Sequence, residues 1–335
     1  MRVLVTGGAG YIGSHAVRRL AKRGHEVLVL DNLSNGHRFS VEEFELVVAD
    51  IADVDVLSRI LPTVDAVMHF AAYAYVAESV RDPRKYFDNN VRSGLSLLNA
   101  VIEHKTRYFI LSSTCAVYGV PSQIPISEKA PRAPINPYGA SKLALEHALE
   151  AYHEAYGLQF ASLRYFNAAG ADESSNIGEL HVPETHVIPC ALEAAAGLRT
   201  RFEIYGTDYA TADGTCVRDY IHVNDLADAH ILALEYLAAG EKAGAFNLGT
   251  GRGHSILDVV STVERVTGLP LSTHFGPRRP GDPPVLVADP QRAMEQLHWK
   301  PTRSLQDIVA TAWNWMQSDR MKELDHSLRA SSMRE

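Results

Sequence analysis

The sequence predicts an α/β fold built on a doubly wound parallel sheet, with a smaller α/β unit following it. Three observations carry that prediction. Six short apolar runs alternate with helical patterns as far as residue 164, a glycine-rich turn joins the first run to the first helix, and the regularity weakens after about residue 167. Short runs rich in β-branched and aromatic residues suit strands buried on both faces. Alternation with helices supplies the layers that bury them.

In chain order, residues 2–6 (RVLVT) read as the first strand, and 11–23 as a helix with Ile12, Ala16 and Leu20 on one stripe and Gly24 just past its end. Buried parallel strands follow at 26–30 (EVLVL) and 45–49 (ELVVA), then a helix near 53–61 and a strand at 65–70 (DAVMHF). A long helical pattern over 84–104 leads to a strand at 107–112 (RYFILS). Asn136 and Pro137 provide a cap and a first turn for a helix over 137–156, Gly157 stops it, and 159–164 (QFASLR) forms the sixth strand. Residues 1–167 thus form the first domain. Residues 168–320, with polar or Gly/Pro-containing loops at 171–187, 206–216 and 276–284, form mainly a second, with some segments returning to the first, and 321–335 is a charged tail expected to fray.

Bulk properties exclude several classes of function. The 335 residues are 46% hydrophobic and 21% charged, with a net charge of −8 and dispersed Lys and Arg, so no basic face for nucleic acid is expected. No apolar run approaches the roughly 20 residues that cross a bilayer, and the opening Met-Arg-Val-Leu-Val-Thr-Gly goes straight into a strand, so no secretory leader is expected. Cys115, Cys190 and Cys216 are odd in number and widely spaced, which suits a reducing compartment; cytoplasm is the expected location. The 15 histidines are scattered, and His181 and His186, five apart, match neither helical i,i+4 geometry nor a paired-ligand motif, so no metal site is expected.

Between the first strand and helix lies Gly7-x-x-Gly10-x-x-Gly13. Glycines in that setting allow a tight turn, close backbone approach to a pyrophosphate and close helix packing, with the helix N-terminus facing the phosphates. This makes the sheet Rossmann-type. Asp31 ends the second strand, 18 residues after Gly13, where a carboxylate bonds an adenosine ribose and repels a 2′-phosphate, favouring NAD over NADP. Asp50 and Ile51, after the third strand, fit equally a flank for the adenine ring and a simple strand-end turn. Tyr138 and Lys142, four apart on one helix, project from one face, so the ammonium is expected to lower the phenol pKa and make tyrosinate a usable base. Thr114 lies 24 residues upstream. The ordered set points to redox chemistry on a hydroxyl.

The segments TGGAGYIGSH, DNLSNG, HFAAYAYVAESV, NNV, LSSTCAVYG, NPYGASK, RYFNAAGA, GTCVRDYIHVNDLADAH and PRRPGD resemble the extended short-chain dehydrogenase/reductases. Within that group they most closely resemble the UDP-glucose 4-epimerase (UDP-galactose 4-epimerase) family, over residues 1 to about 318. The resemblance implies a smaller C-terminal α/β substrate domain, tightly bound NAD, a UDP-sugar substrate, and a homodimer formed through the helices near 84–104 and 137–156. It implies that Tyr138 takes the proton of the sugar 4-hydroxyl as hydride passes to NAD, that Lys142 binds the nicotinamide ribose, and that Thr114 bonds the 4-oxygen. Cofactor contacts implied in the same way are Tyr11, Ile12, Asp31, Asn32, Leu33, Ser34, Asn35, Gly36, Asp50, Ile51, Phe70, Ala71, Ala72, Tyr73, Ala74, Asn89, Ser112 and Phe166. For UDP they are Asn167, Val187, Tyr205, Arg218, Arg279 and Asp282, the arginines being suited to a diphosphate as charge-assisted donors.

Three positions depart from the family pattern. Ala74 stands where some members carry a cofactor-facing lysine, His186 where an asparagine often meets the nucleotide sugar, and Leu286 where side-chain bulk is thought to gate N-acetylated sugars. UDP-pentose, UDP-uronate or UDP-N-acetylhexosamine epimerisation therefore stays open beside the hexose reaction. A nucleotide-sugar 4,6-dehydratase requires an Asp-Glu pair after the threonine, and Cys115-Ala116 stands there instead. A non-catalytic NAD-binding regulator would usually lack the Tyr/Lys pair.

Overall fold

The structure is a computed structural model, described over residues 1–174, 176–279 and 282–324. The expected charged tail falls mostly on 325–335, outside the described residues. The six expected strands form as β1 (Arg2–Thr6), β2 (Glu26–Asp31), β3 (Glu45–Val48), β4 (Ala66–His69), β5 (Tyr108–Thr114) and β6 (Gln159–Tyr165). Short strands β7 (Asn167–Ala169), β8 (Phe202–Tyr205), β9 (Val217–Arg218) and β10 (Tyr220–His222) precede a seventh sheet strand, β11 (Gly244–Leu248). The order β11-β6-β5-β4-β1-β2-β3 is parallel throughout. Chain direction therefore brings Thr6, Asp31, His69, Thr114 and Tyr165 to one edge, and the order reverses between β1 and β4, where such folds bind ligands.

Around the sheet lie α1 (Tyr11–Lys22), α2 (Val54–Ile60), α3 (Val76–Arg81), α4 (Pro83–Tyr86), α5 (Gly94–Glu103) and α6 (Pro137–Tyr156). Two sequence expectations need correction. The edge strand β3 has a single neighbour, and Val48 is 49% exposed, so it is not buried on both faces. The expected 84–104 helix is broken by a π-helical stretch, Phe87–Ser93. There Asn90 turns inward, its Oδ1 accepting the Tyr73 N–H and its Nδ2 donating to Tyr73 O and Ser141 Oγ. Wider turns of this kind recur at functional sites.

Beyond residue 195, the end of α7 (Val187–Ala195), come α8 (Val223–Ala238), α9 (Ile256–Thr267), α10 (Gln291–Gln296) and α11 (Leu305–Gln317). Strands β12 (His254–Ser255) and β14 (Val285–Leu286) flank β9, and β13 (Thr273–Gly276) pairs β8. β11 extends the main sheet, and α8 covers one of its faces: Leu226, Leu234 and Leu237 share a core with Val3, Val5, Val17 and Leu20. Arg19 on α1 clamps Asp228 on α8, Nε to Oδ1 at 2.6 Å. A separate core gathers Ile188, Leu192, Phe202, Ile204, Val259 and Ile308 from α7, β8, α9 and α11. Among the described residues no helix is long and apolar enough to cross a membrane.

Candidate active site

The glycine turn has a geometry that other residues could not adopt. Gly7 has φ +70°, and a Cβ there would lie 2.4 Å from the Ala71 nitrogen; one on Gly13 would lie 2.2 Å from Gly7 O. The turn and α1 are thus pressed against the loop after β4. α1 starts from an extended Gly10 with no side-chain cap, leaving the first-turn amides of Tyr11, Ile12 and Gly13 available to an anion.

Asp31 closes the turn from the side. Its Oδ2 accepts the Ala9 N–H at 2.9 Å and its Oδ1 the Leu33 N–H at 2.8 Å, while Leu33 takes φ 59°. Burial raises the carboxyl pKa, and the two amides and His37 oppose that shift. Gly36 lies against the carboxylate, where a Cβ would come within 2.8 Å of Oδ1, and Asn32, whose Oδ1 accepts the Ser34 N–H, reaches Asp50 at 3.2 Å; Asn35 completes this turn. A cavity of about 330 Å³ opens next to it, lined by Asp50, Tyr73, Lys85, Asn89 and Arg92 among others. Ile51 is buried with Leu30 and Leu57. Phe70, Ala71, Ala72, Tyr73 and Ala74 form the loop after β4, with the Phe70 ring tilted against His230, centroids 4.7 Å apart. Ala74 carries no charge, but Lys85 sets an ammonium 4.1 Å above the Tyr73 ring of the same loop. Glycine cradle, bare helix N-terminus, acidic strand end and adjacent cavity together fit a dinucleotide.

Tyr138 and Lys142 occupy the first turns of α6, which Asn136 caps by accepting the Gly139 N–H at 2.8 Å. Both side chains are buried. Lys142 Nζ donates to Ser112 O at 2.8 Å, and the Ser112 hydroxyl meets Tyr165 OH at 2.7 Å. Thr114 Oγ1 accepts the Ala116 N–H at 3.1 Å and also hydrogen-bonds with Tyr138. One expectation is corrected here: in the chain alone the phenol pKa is raised, not lowered. Burial pushes Tyr138 well up, neighbouring Tyr165 adds to this, and only Thr114 opposes it. Lys142 is itself pulled down to about 8 by burial, with Glu146 opposing.

Sequence reasoning missed the buried network behind this pair. Glu146, one turn beyond Lys142, accepts from Ser113 Oγ at 2.5 Å and from Arg164 Nη2 at 2.6 Å. Arg164 Nη1 continues to Tyr118 OH at 2.9 Å, which donates to Asn247 Oδ1 at 2.6 Å. The available signal was Glu146 at i+4 from Lys142, with an arginine inside an apolar strand.

On the facing side, Arg218 is buried and pairs with Asp282, while Arg279 lies 3.9 Å above the Tyr205 ring, so four expected substrate residues meet in two pairs. Leu286 is the register partner of Arg218. The Asn167 N–H donates to Asp219 O at 2.9 Å, Val187 opens α7, and Phe166 is buried with Tyr118 and Leu143. Tyr11 OH ties the glycine turn to Gly170 O at 2.6 Å. The non-helical loop before α7 also brings His181 and His186 together with Glu179 and Glu184, an approach that a helical-spacing test could not detect.

Fold and site define a dinucleotide-dependent enzyme, with Tyr138, Lys142 and Thr114 buried together beside the glycine cradle. Residues 3–249 match the model of the NAD dependent epimerase/dehydratase family. The chain is 49% identical to the UDP-glucose 4-epimerase of Lacticaseibacillus casei, covering 95% of this chain and 97% of that one. The crystal structure of UDP-glucose 4-epimerase from Brucella ovis in complex with NAD is 50% identical, with a TM-score of 0.91 over 93% of this chain and 97% of that one. UDP-glucose-4-epimerase from Stenotrophomonas maltophila, with bound NAD and formylated UDP-arabinopyranose, is 39% identical, with a TM-score of 0.93 over 98% of this chain and 99% of that one. The chain belongs to the NAD dependent epimerase/dehydratase family, among its UDP-glucose 4-epimerases.

Proposed function

We infer that the protein interconverts UDP-galactose and UDP-glucose through a 4-keto sugar, with one NAD that stays bound. The observation that carries this is the burial of Tyr138, Lys142 and Thr114 together at the sheet edge, beside the glycine cradle. NAD, when bound, supplies the carrier that takes a hydride from C4 and gives it back. Tyr138 takes the 4-hydroxyl proton, Thr114 bonds the 4-oxygen, and Lys142 orients the ribose beside them. The ketone turns within the site and accepts hydride on its other face while Tyr138 returns the proton, so atoms and electrons balance without an outside oxidant. Arg218 and Arg279 hold the diphosphate, with Asn167, Val187, Tyr205 and Asp282 around the nucleotide. Asp31 binds the adenosine ribose.

Elimination of water is disfavoured, because Cys115 follows Thr114 and burial pushes its thiol up to about 12, too weak an acid for a dehydratase. A pentose substrate is the second reading, supported by the pentose nucleotide held by the Stenotrophomonas relative. We place the enzyme in the cytoplasm, in galactose metabolism, as a homodimer joined through α5 and α6; sedimentation showing a monomer at working concentration would contradict the assembly.

Proton NMR of the purified enzyme with UDP-galactose and no added NAD tests the reaction. UDP-glucose should appear at turnover rates, and Tyr138→Phe should abolish it. UDP-xylose and UDP-N-acetylgalactosamine in the same assay decide the breadth. Conversion of a pentose but not of the hexose would overturn the substrate assignment and keep the mechanism.

A further inference from the structure

The loop preceding α7 carries a cluster of two histidines and two glutamates to which the proposed reaction assigns no chemical step. His181 Nδ1 lies 3.3 Å from Glu179 Oε1 and 3.6 Å from Glu184 Oε2; His186 Nδ1 lies 2.8 Å from Glu179 Oε1 and 3.0 Å from Glu184 Oε1. One donor atom from each of the four residues falls within 4.8 Å of all the others. A tetrahedral ion with bonds of about 2.0–2.1 Å sets its ligands roughly 3.4 Å apart, and the four nitrogen–oxygen separations bracket that edge. The carboxylates are almost fully buried, their side chains 7% and 5% exposed. His181 Nδ1 is buried without a hydrogen-bond partner although two carboxylates are within reach.

We propose that Glu179, His181, Glu184 and His186 bind one zinc ion. The two buried carboxylates carry a double negative charge, and a divalent cation balances it in place of the protons that the two imidazoles otherwise carry. Two nitrogen and two oxygen donors suit zinc better than magnesium or calcium, which take mostly oxygen. Glu184 is already oriented, its Oε1 accepting the N–H groups of Thr185 at 2.7 Å and His186 at 2.8 Å. The role is structural. The His181 ring meets Tyr11 edge-on at 6.4 Å and Tyr75 at 5.7 Å, so the ion fixes this loop against the glycine turn and the loop after β4.

The test is metal uptake by the NAD-containing enzyme after chelation and desalting, at neutral pH, using zinc alone and then cobalt(II) alone. One zinc per chain should survive a second desalting, cobalt should give the intense visible bands of four-coordination, and zinc should raise the thermal midpoint. His181→Ala and Glu184→Gln should weaken cobalt by more than the roughly 10–100-fold that loss of a supporting partner costs. Unchanged uptake in both variants, with NAD content intact, would place the metal on other histidines and overturn the proposal. If either variant fails to fold, the wild-type enzyme still decides: no retained zinc, or only weak six-coordinate cobalt bands, makes the cluster two imidazolium–carboxylate pairs.

Discussion

Lys142 shows how a single residue trades stability for chemistry. Its side chain is 2% exposed, and burial pulls its pKa from 10.5 to about 8. Between those values the unfolded chain holds a proton that the folded chain has released, so stability rises with pH across that window; below about 8 the whole cost applies, on the order of 3 kcal/mol. Lys142→Met removes the charge and one hydrogen bond worth about 1 kcal/mol, so the cofactor-free chain should gain about 2 kcal/mol at neutral pH while losing turnover. Urea midpoints at neutral pH and above the ordinary lysine pKa would measure this; a gain that persists undiminished at the higher pH would contradict it. Asp31 illustrates the same tension. Asp31→Ala orphans the Ala9 and Leu33 amides and should weaken NAD retention and relax discrimination against NADP, so an unchanged cofactor preference would remove its ribose role. The Tyr138/Lys142 spacing was legible in the sequence because helix geometry fixes which residues share a face. The pKa values were not, because they depend on burial and on neighbours such as Tyr165 and Tyr86 that only the folded chain brings close.

At the scale of elements, α6 is both the carrier of the proposed reacting pair and one wall of the buried Glu146 network. Glu146→Gln would leave the Arg164 guanidinium without a counter-charge in a dry interior, a loss of about 3–5 kcal/mol, against the smaller effect expected of an exposed pair. A denaturation midpoint within 1 kcal/mol of wild type would show that water reaches the network. The six strands from β1 to β6 were legible because apolar runs bounded by turn residues are what a buried parallel strand requires. β11 was not: Gly244–Leu248 is five residues, begins with glycine, and joins the sheet only because α8 folds back over α1. The π-helical stretch was equally hidden, since its cause is the bonding of Asn90 to Tyr73 and Ser141, partners remote in sequence. The loop from Glu179 to His186 escaped for the same reason, as spacing rules describe helices and this segment is not one.

For the whole molecule, the proposed reaction depends on two cores meeting across the crevice at the sheet edge. The Tyr11–Gly170 hydrogen bond and the Arg218–Asp282 pair lie on this boundary, and Arg218 is 7% exposed, so its charge is already desolvated and oriented before substrate arrives. A diphosphate then gains from a planar donor fork whose ordering cost was met in folding. Lysine at this position keeps the charge but loses the fork and the simultaneous reach to Asp282 and a phosphate. Arg218→Lys should therefore raise the Kd for UDP and the KM for UDP-galactose by about 10-fold or more, near 1.4 kcal/mol, with kcat changed much less because the C4 chemistry lies on the other core. Calorimetry with UDP and initial rates from the NMR assay separate the two effects. Unchanged UDP affinity would remove Arg218 from the diphosphate site. A fall confined to kcat would instead show that this pair governs how the two cores close.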